Sequence, residues 1–216
     1  NLTDDRLEPP ALTAVECCNN LKRVSRPIRS LHHNLDERPY IVIWEVTRAC
    51  DLVCTHCRAD AIHHRNPFEL NTKEGFALLD NIAAFGPPRP IVVLTGGDPL
   101  KRPDLVELVA HGTAAGLSMA LAPSVTPLLT REALTDLRAA GGNAVALSLD
   151  GASPTTQDGF RGPSGGVAST LVAAGLRHGL RLRYELHTPF RPRNHPPVRP
   201  IPRVTHPPPD AAGSEW

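Results

Sequence analysis

The sequence has little excess charge and no long apolar run. Its 216 residues carry 23 lysines and arginines against 22 aspartates and glutamates, which gives a formal net charge of +1. Proteins that bind nucleic acid or anionic lipid through charge usually have a basic excess, so we expect neither partner. No apolar stretch approaches the roughly 20 residues of a bilayer-spanning helix, and no signal-peptide pattern opens the sequence. We therefore expect a cytoplasmic protein.

Cysteine is scarce, and its number is odd. The five cysteines form an adjacent pair, Cys17 and Cys18, and a close trio, Cys50, Cys54 and Cys57. A secreted disulfide framework would normally have an even number at wider spacing. The trio instead indicates metal or redox chemistry, whereas the pair is interpreted as bystanders because adjacent side chains seldom reach one metal together.

Composition divides the chain into three regions. Residues 1–38 are polar and lack a sustained apolar period, so we expect a poorly ordered extension with one short helix around residues 11–24. Residues 39–188 have the patterning of a folded domain. Residues 189–216 contain nine prolines, which lack the amide hydrogen that helices and sheets require, and we expect this tail to be disordered or polyproline-like.

Within residues 39–188, short β-branched runs alternate with amphipathic segments. The pattern predicts strands over 41–44, 91–94, 118–122, 144–149 and 180–186, and helices over 72–85, 103–116, 130–140 and 166–178. Strands that alternate with helices of this length predict right-handed crossovers and a parallel sheet, and hence an α/β fold. The continuous apolar run Ile41–Trp44 is typical of a strand buried on both faces.

The three clustered cysteines form a CxxxCxxC motif directly after the first predicted strand. Three thiolates on one loop can bind a single iron–sulfur cluster, because soft sulfur ligands suit iron. A four-iron cube held by three cysteines leaves one iron open to a small molecule. A structural zinc site with His56 as fourth ligand, or three unrelated thiols, are the alternatives.

Small and polar residues follow the next three predicted strands. The segment 96–99 reads Gly-Gly-Asp-Pro, whose glycines permit positive φ and a close approach of a bound group, although the same residues also make ordinary turns. Ser124, Ser148 and Asp150 could bind an amino-acid moiety and a ribose, or could cap the next helices. Functional groups of parallel α/β barrels gather at the carboxyl ends of strands. The cysteine motif, the glycine turn and these polar residues follow four consecutive predicted strands, so we predict that they form one site.

Taken together, these motifs resemble the radical S-adenosylmethionine (radical SAM) enzymes over about residues 40–162. The CxxxCxxC motif, the Gly-Gly-Asp-Pro turn and the segment Ser-Leu-Asp-Gly at 148–151 carry the resemblance. The run Trp44–Cys50 is similar to members with a carboxyl-terminal SPASM extension, which modify peptides or make haem-related and quinone cofactors. The resemblance implies a partial, truncated parallel (β/α) barrel, because the family normally has six βα units and the pattern fades soon after Gly162. We hypothesise a frameshift or gene truncation there.

The resemblance also implies the cofactors and their ligands. A [4Fe-4S] cluster would lie on Cys50, Cys54 and Cys57, with SAM on its open iron. The implied SAM contacts are Gly96, Gly97 and Asp98 for the methionyl amino group, Ser124, Ser148 and Asp150 for the ribose or methionyl carboxylate, Arg161 for the carboxylate, and His56 near the adenine. We assign no acid–base pair, and we interpret Glu45 as a structural carboxylate rather than a substrate contact.

The activity implied by the resemblance is reductive cleavage of SAM. An electron from the cluster would release a 5′-deoxyadenosyl radical, which would remove hydrogen from a peptide or a small-molecule cofactor precursor. The partner would be a reductant such as a flavodoxin or ferredoxin. Because no cysteine follows Cys57, we expect no auxiliary cluster on this chain. A non-catalytic zinc or iron–sulfur binding module, or an inactive remnant of the enzyme, is the alternative function.

Overall fold

The chain forms a five-stranded parallel sheet with helices between the strands. A computed structural model describes residues 34–151, 153–162, 166–176, 180 and 182–188. Its elements are β1 Ile41–Thr47, α1 Thr72–Ala83, β2 Ile91–Gly96, a 3₁₀ turn Pro99–Lys101, α2 Leu105–Ala114, β3 Ser118–Leu121, α3 Arg131–Ala139, β4 Ala144–Ser148, α4 Pro154–Arg161, α5 Gly166–Gly175 and β5 Arg183–His187. The strands lie side by side in chain order, which confirms the predicted α/β fold with a parallel sheet.

Both ends of the chain fall outside this description. The helix expected around residues 11–24, the pair Cys17 and Cys18, and the proline-rich tail at 189–216 lie outside the described residues. The three-region division of the chain therefore stays a prediction. Among the described residues, no helix is both long enough and apolar enough to cross a membrane.

Alternation along the strands places one apolar face against the helices. Val92 and Leu94 on β2 are fully buried, as are the alternate residues of the neighbouring strands β3 and β4. The larger core packs α1 and α2 on β1, β2 and β3, and a second core joins α3 and α5 to β4 and β5. This face of the sheet therefore fixes the strands whose carboxyl ends carry the predicted site.

The opposite face of β1 is exposed, so the prediction of a strand buried on both sides is wrong. Ile41 and Ile43 are 46% and 58% exposed, whereas Val46 on the same strand is buried by the helices. β1 lies at the edge of the sheet, and within the described residues its second face has no covering layer. This exposed face is the one that lines the interior of a (β/α) barrel, because the helices cover the other face.

Helix α4 is the element that the sequence pattern did not predict. Its residues contain two threonines, Gly159 and a single large apolar residue, Phe160, so they have no apolar stripe. The signals that were present are local: the Ser153 hydroxyl accepts a hydrogen bond from the Thr156 amide, and Pro154 opens the first turn. Strand β1 is also three residues longer than predicted and continues through Glu45 to Thr47.

A buried ion pair ties the end of β1 to the starts of two helices. Arg102 is 2% exposed, and its guanidinium donates two hydrogen bonds of 2.8 Å to Asp104. It also donates to the Val46 carbonyl at 2.9 Å, and the Thr72 hydroxyl donates to Asp104 at 2.7 Å. Because every charged group has a partner, the network can remain buried, and it anchors the strand just before the cysteine motif.

Leu108 should be among the residues on which stability depends most. Its side chain on α2 is 0% exposed within the larger core, so Leu108→Ala should lower the free energy of unfolding by about 2–5 kcal/mol. Val106→Ala on the same helix, where the valine is 39% exposed, should change it by no more than about 0.5 kcal/mol. Urea unfolding followed by circular dichroism measures both, and equal losses would contradict the assignment of the buried face.

Candidate functional site

The three cysteines of the motif lie on the loop that follows β1. Cys50 is buried, Cys54 is half-buried and Cys57 is exposed, and all three are free thiols. They line one cavity of about 340 Å³. The returning chain supports this loop, because the Cys50 amide donates to the Ile62 carbonyl at 2.8 Å. A pocket lined by three thiols thus lies at the carboxyl edge of the sheet.

The three thiols are the donor set of an iron–sulfur cluster, and they are not gathered around a position for one ion. In the described part of the chain, no three His, Cys, Asp or Glu side chains converge closely enough to bind a single metal ion. Zinc–sulfur bonds of about 2.3 Å would require tetrahedral thiolates to lie only about 3.8 Å apart. An iron–sulfur cube places each cysteine on a different iron, so its ligands are more widely separated. The donor set and its pocket fit a [4Fe-4S] cluster.

The glycine turn after β2 packs against the backbone of the cysteine loop. A Cβ atom added at Gly96, where φ is +134°, would overlap the Thr47 carbonyl oxygen, and one at Gly97 would lie 2.6 Å from the Arg48 oxygen. The Gly97 amide donates to the Thr47 carbonyl at 2.8 Å. The structure therefore explains both glycines by contact with the protein itself, and their role in binding SAM stays a prediction.

Asp98 is fully buried, and its carboxylate is engaged by neighbouring protein groups. It accepts hydrogen bonds from the Thr126 hydroxyl at 2.7 Å and from the Leu100 amide at 3.2 Å. Burial raises the pKa of the Asp98 carboxyl, and the hydrogen bond from Thr126 opposes this rise. The side chain thus holds the loop after β3 against the glycine turn.

Ser124 lies between the glycine turn and the cysteine loop. Its hydroxyl donates to the Gly97 carbonyl at 2.8 Å, and its oxygen lies 3.4 Å from the Cys50 sulfur. The carboxyl ends of β1, β2 and β3 therefore meet at this one side chain; they are three of the four strand ends that the sequence predicts for one site.

The end of β4 contributes a buried carboxylate with two basic neighbours. Asp150 is 0% exposed and accepts a hydrogen bond of 2.6 Å from Arg161 Nε. His56 Nε2 lies 3.5 Å from the same carboxylate oxygen. Arg161 Nη1 also lies 3.8 Å from the Cys54 sulfur. Three of the predicted site residues, His56, Asp150 and Arg161, therefore form one cluster with a cysteine of the motif.

Two supporting residues were not predicted. Gln157 is 1% exposed, and its side-chain oxygen accepts hydrogen bonds from the amides of Asp150 and Gly151 at 2.7 and 3.0 Å. Glu69 accepts hydrogen bonds from the Thr47 hydroxyl at 2.8 Å and from the Arg48 amide at 2.9 Å. Neither residue belongs to a motif. Glu69 is 21 residues from the Arg48 amide, and Gln157 reaches its two amides from α4, a helix that the sequence pattern did not predict, so sequence patterns gave no signal for them.

Glu45 lies on the same face of β1 as the exposed Ile41 and Ile43, and its structural role stays a prediction. Its carboxylate forms an ion pair of 2.7 Å with Arg58.

Ser148 lines a second cavity of about 590 Å³, together with Asp51, Arg161 and a mostly apolar wall from α5 and the loop after β3. This cavity borders the cysteine loop and has the volume of a typical small-molecule site.

The comparison with protein families agrees with this geometry. The model of the Radical SAM superfamily matches residues 44–173, which contain the cysteine loop, the glycine turn and the ends of β3 and β4. The chain belongs to the radical SAM superfamily. Enzymes of this superfamily use a [4Fe-4S] cluster and SAM, so the predicted cofactor pair is the one that the family uses.

Named relatives within the superfamily act on different molecules. The chain is 38% identical over 156 residues to an AdoMet-dependent heme synthase of Methanosarcina barkeri, covering 72% of this chain and 44% of that protein. It is 38% identical over 136 residues to a PqqA peptide cyclase of Rhodopseudomonas palustris, covering 63% and 35%. The chain thus spans less than half the length of these curated relatives.

Solved structures share the fold at low sequence identity. SuiB of Streptococcus suis, in a crystal structure with its precursor peptide SuiA, has a TM-score of 0.59 and 15% identity, covering 69% of this chain and 33% of SuiB. Methylornithine synthase (PylB) has a TM-score of 0.55 and 20% identity, covering 69% and 44%. These similarities support the radical SAM fold that the motifs implied.

The contact between the glycine turn and the cysteine loop should make Gly97 intolerant of a side chain. Gly97→Ala forces a methyl group against the carbonyls of Arg48 and Ala49, and such overpacking costs about 1–3 kcal/mol. Gly159→Ala is the matched control, because nothing lies within 4 Å of its added Cβ on α4 and alanine favours a helix. Thermal unfolding should show a loss only for Gly97→Ala, and a loss of similar size at both positions would contradict the packing.

Glu69 should make stability depend on pH. Burial alone would raise the pKa of its carboxyl, but hydrogen bonds from the Arg48 amide, Thr47 and Arg65 outweigh burial and lower it below the ordinary 4.5. Ionised Glu69 therefore stabilises the fold at neutral pH, and this stabilisation is lost as the pH falls through the folded-state pKa. The advantage of the native protein over Glu69→Gln should shrink below about pH 4.5.

Urea unfolding at a series of pH values measures that advantage. Glu107→Gln, which removes an exposed carboxylate from α2, controls for the loss of one negative charge. A difference between the native protein and Glu69→Gln that stays constant from neutral to acidic pH would show that the charge of Glu69 does not stabilise the cysteine loop.

Proposed function

We propose that this chain binds a [4Fe-4S] cluster through Cys50, Cys54 and Cys57, binds SAM beside it, and starts radical chemistry on a peptide or cofactor precursor. The observation that carries the proposal is the pocket of about 340 Å³ lined by the three free thiols. Membership of the radical SAM superfamily gives that pocket its chemical meaning. When bound, the cluster supplies the electron for the reductive cleavage of SAM.

The cavity of about 590 Å³ is our candidate for the SAM site. It borders the cysteine loop at Asp51 and is lined by Ser148 and Arg161, while its remaining wall is mainly apolar. The polar and charged groups in its lining suit the methionyl carboxylate and ribose, and the apolar wall suits adenine and excludes water. We assign Arg161 to the carboxylate end because its cation lines this cavity.

The remaining proposed contacts follow the family resemblance, and Ser148 is the one among them that lines the cavity. They are the backbone of Gly96, Gly97 and Asp98 for the methionyl amino group, Ser124, Ser148 and Asp150 for the ribose or carboxylate, and His56 near the adenine. We assign the backbone of Asp98, rather than its carboxylate, because the carboxylate already accepts hydrogen bonds from Thr126 and Leu100. The residues supply position and exclude water, and no acid–base pair is required.

The proposed substrate class follows from the named relatives. The heme synthase and the PqqA peptide cyclase are named for a tetrapyrrole product and for a peptide. A peptide or a cofactor precursor is therefore the substrate class that we propose, with a small reductant of the flavodoxin or ferredoxin type as electron donor. The chain covers less than half the length of each of these relatives.

Anaerobic reconstitution with iron and sulfide tests the proposal. The native chain should acquire about four irons and the broad visible absorbance of a cube, and it should release 5′-deoxyadenosine when SAM and dithionite are added. Single Cys→Ala variants at 50, 54 and 57 should lose both properties because each removes one ligand. Cys17→Ala/Cys18→Ala is the matched control and should retain the iron.

Two outcomes would contradict the proposal in different ways. A colourless protein that takes up one zinc ion and no iron would replace the cluster with a structural metal site. A fully loaded cluster that releases no 5′-deoxyadenosine would reduce the chain to a non-catalytic iron–sulfur module or an inactive remnant.

A further inference from the structure

The end of helix α4 is docked on the cysteine loop. The Thr55 amide donates a hydrogen bond of 2.9 Å to the Phe160 carbonyl. The His56 ring meets the Phe160 ring edge-on, with 5.3 Å between their centroids. Gly162 also lies directly against the Val53 side chain, where an added Cβ would overlap it. These contacts hold the end of α4 against residues 53–56 of the loop, a segment that contains Cys54.

This docking brings the Arg161 guanidinium to a cysteine sulfur. Nη1 lies 3.8 Å from Cys54 Sγ, while Nε donates to Asp150 at 2.6 Å. The arginine side chain is 18% exposed and the aspartate side chain is 0% exposed. Because a guanidinium is planar and its donors are fixed relative to one another, the bond to Asp150 sets the direction of the nitrogen that faces the sulfur.

We infer that Arg161 is a positioning residue of the cluster, whose cation acts through the Cys54 sulfur to make the cluster easier to reduce. The inference rests on the proposed function, and it gives Arg161 a role toward the cluster in addition to the proposed role toward SAM. Reduction adds one negative charge to the cluster, and the potential of such clusters depends on net charge, solvent exposure and hydrogen bonds to sulfur. A largely buried cation beside a ligand sulfur therefore stabilises the reduced form.

Asp150 orients the Arg161 guanidinium, and its negative charge partly offsets the effect of the cation on the cluster. Its carboxylate contacts Nε, whereas the sulfur contacts Nη1, so the cation stays between the carboxylate and the cysteine.

Arg58 offers a matched control for the charge. It also lies in the cysteine loop, next to Cys57 in sequence, but its side chain is 71% exposed and paired with Glu45 at 2.7 Å. Removing the Arg58 cation changes the net charge by the same amount as removing the Arg161 cation. Exposure to water screens Arg58, so its loss should have little effect on the cluster.

The test is a redox titration of the full chain after anaerobic reconstitution, followed by the electron paramagnetic resonance signal of the reduced cluster, without SAM. In Arg161→Met, the ratio of reduced to oxidised cluster at a fixed potential should fall about tenfold, which is about 59 mV for a one-electron couple. The cluster of Arg58→Gln should have the same midpoint potential as the native cluster. Arg161→Lys keeps the cation and should lie between the native protein and Arg161→Met.

The outcomes separate this inference from the proposed function. The role of Arg161 would be overturned if the cluster of Arg161→Met had the same midpoint potential as the native cluster. Equal shifts of the midpoint potential in Arg161→Met and Arg58→Gln would also overturn it. If Arg161→Met loads no cluster, loading of Arg161→Lys would support a need for the cation, and failure of both would overturn it in favour of a purely structural role. A native chain that assembles no cluster would instead overturn the proposed function.

Discussion

The close contact between two backbones is the constraint on which the rest of the site depends. The turn after β2 approaches the chain between Thr47 and Ala49 so closely that no side chain fits at Gly96 or Gly97. Hydrogen bonds from the Gly97 and Asp98 amides to the Thr47 and Ala49 carbonyls close this contact at 2.8 and 2.7 Å. The base of the cysteine loop is therefore held by main-chain groups, which cannot change rotamer as a side chain can.

Paired charges support the loop on its other sides. Glu69 binds the main chain just after β1, Arg102 binds it just before the loop, and the Asp150–Arg161 pair reaches the second cysteine. Each of these charges has a partner of opposite sign or several hydrogen bonds, as burial requires. A loop that must present three sulfurs without regular secondary structure obtains its shape from these groups.

The sequence was sufficient for the parts of the fold that repeat locally. Apolar runs such as Ile91–Leu94 and amphipathic stretches such as Thr72–Ala83 have a period that identifies strands and helices, and the cysteine and glycine motifs identified the family. Helix α4 was missed because its stability depends on a cap and on packing against the cysteine loop rather than on an apolar stripe. The prediction that β1 is buried on both faces was wrong because a continuous apolar run does not show how many layers cover a strand.

The supporting residues of the site could not be predicted for a different reason. Gln157 and Glu69 bind backbone amides, and any polar side chain of suitable length at a suitable place could do so. The amide that Glu69 binds is 21 residues away, and Gln157 reaches its partners from the helix that follows β4, so the information lies in the three-dimensional arrangement and not in residue type or spacing. Arg161 was assigned from the family resemblance, but its contact with the Cys54 sulfur became evident only from the fold.

The unequal burial of the three cysteines has a consequence for damage by oxygen. Cys50 is enclosed, Cys54 is half-buried and Cys57 is open to solvent. In a chain that has not yet bound its cluster, peroxide that arrives from the solvent meets Cys57 first, because exposure and thiolate character govern the conversion of a cysteine to a sulfenic acid. Oxidative inactivation should therefore begin at the last cysteine of the motif and proceed inward, with the sulfur nearest the sheet preserved longest.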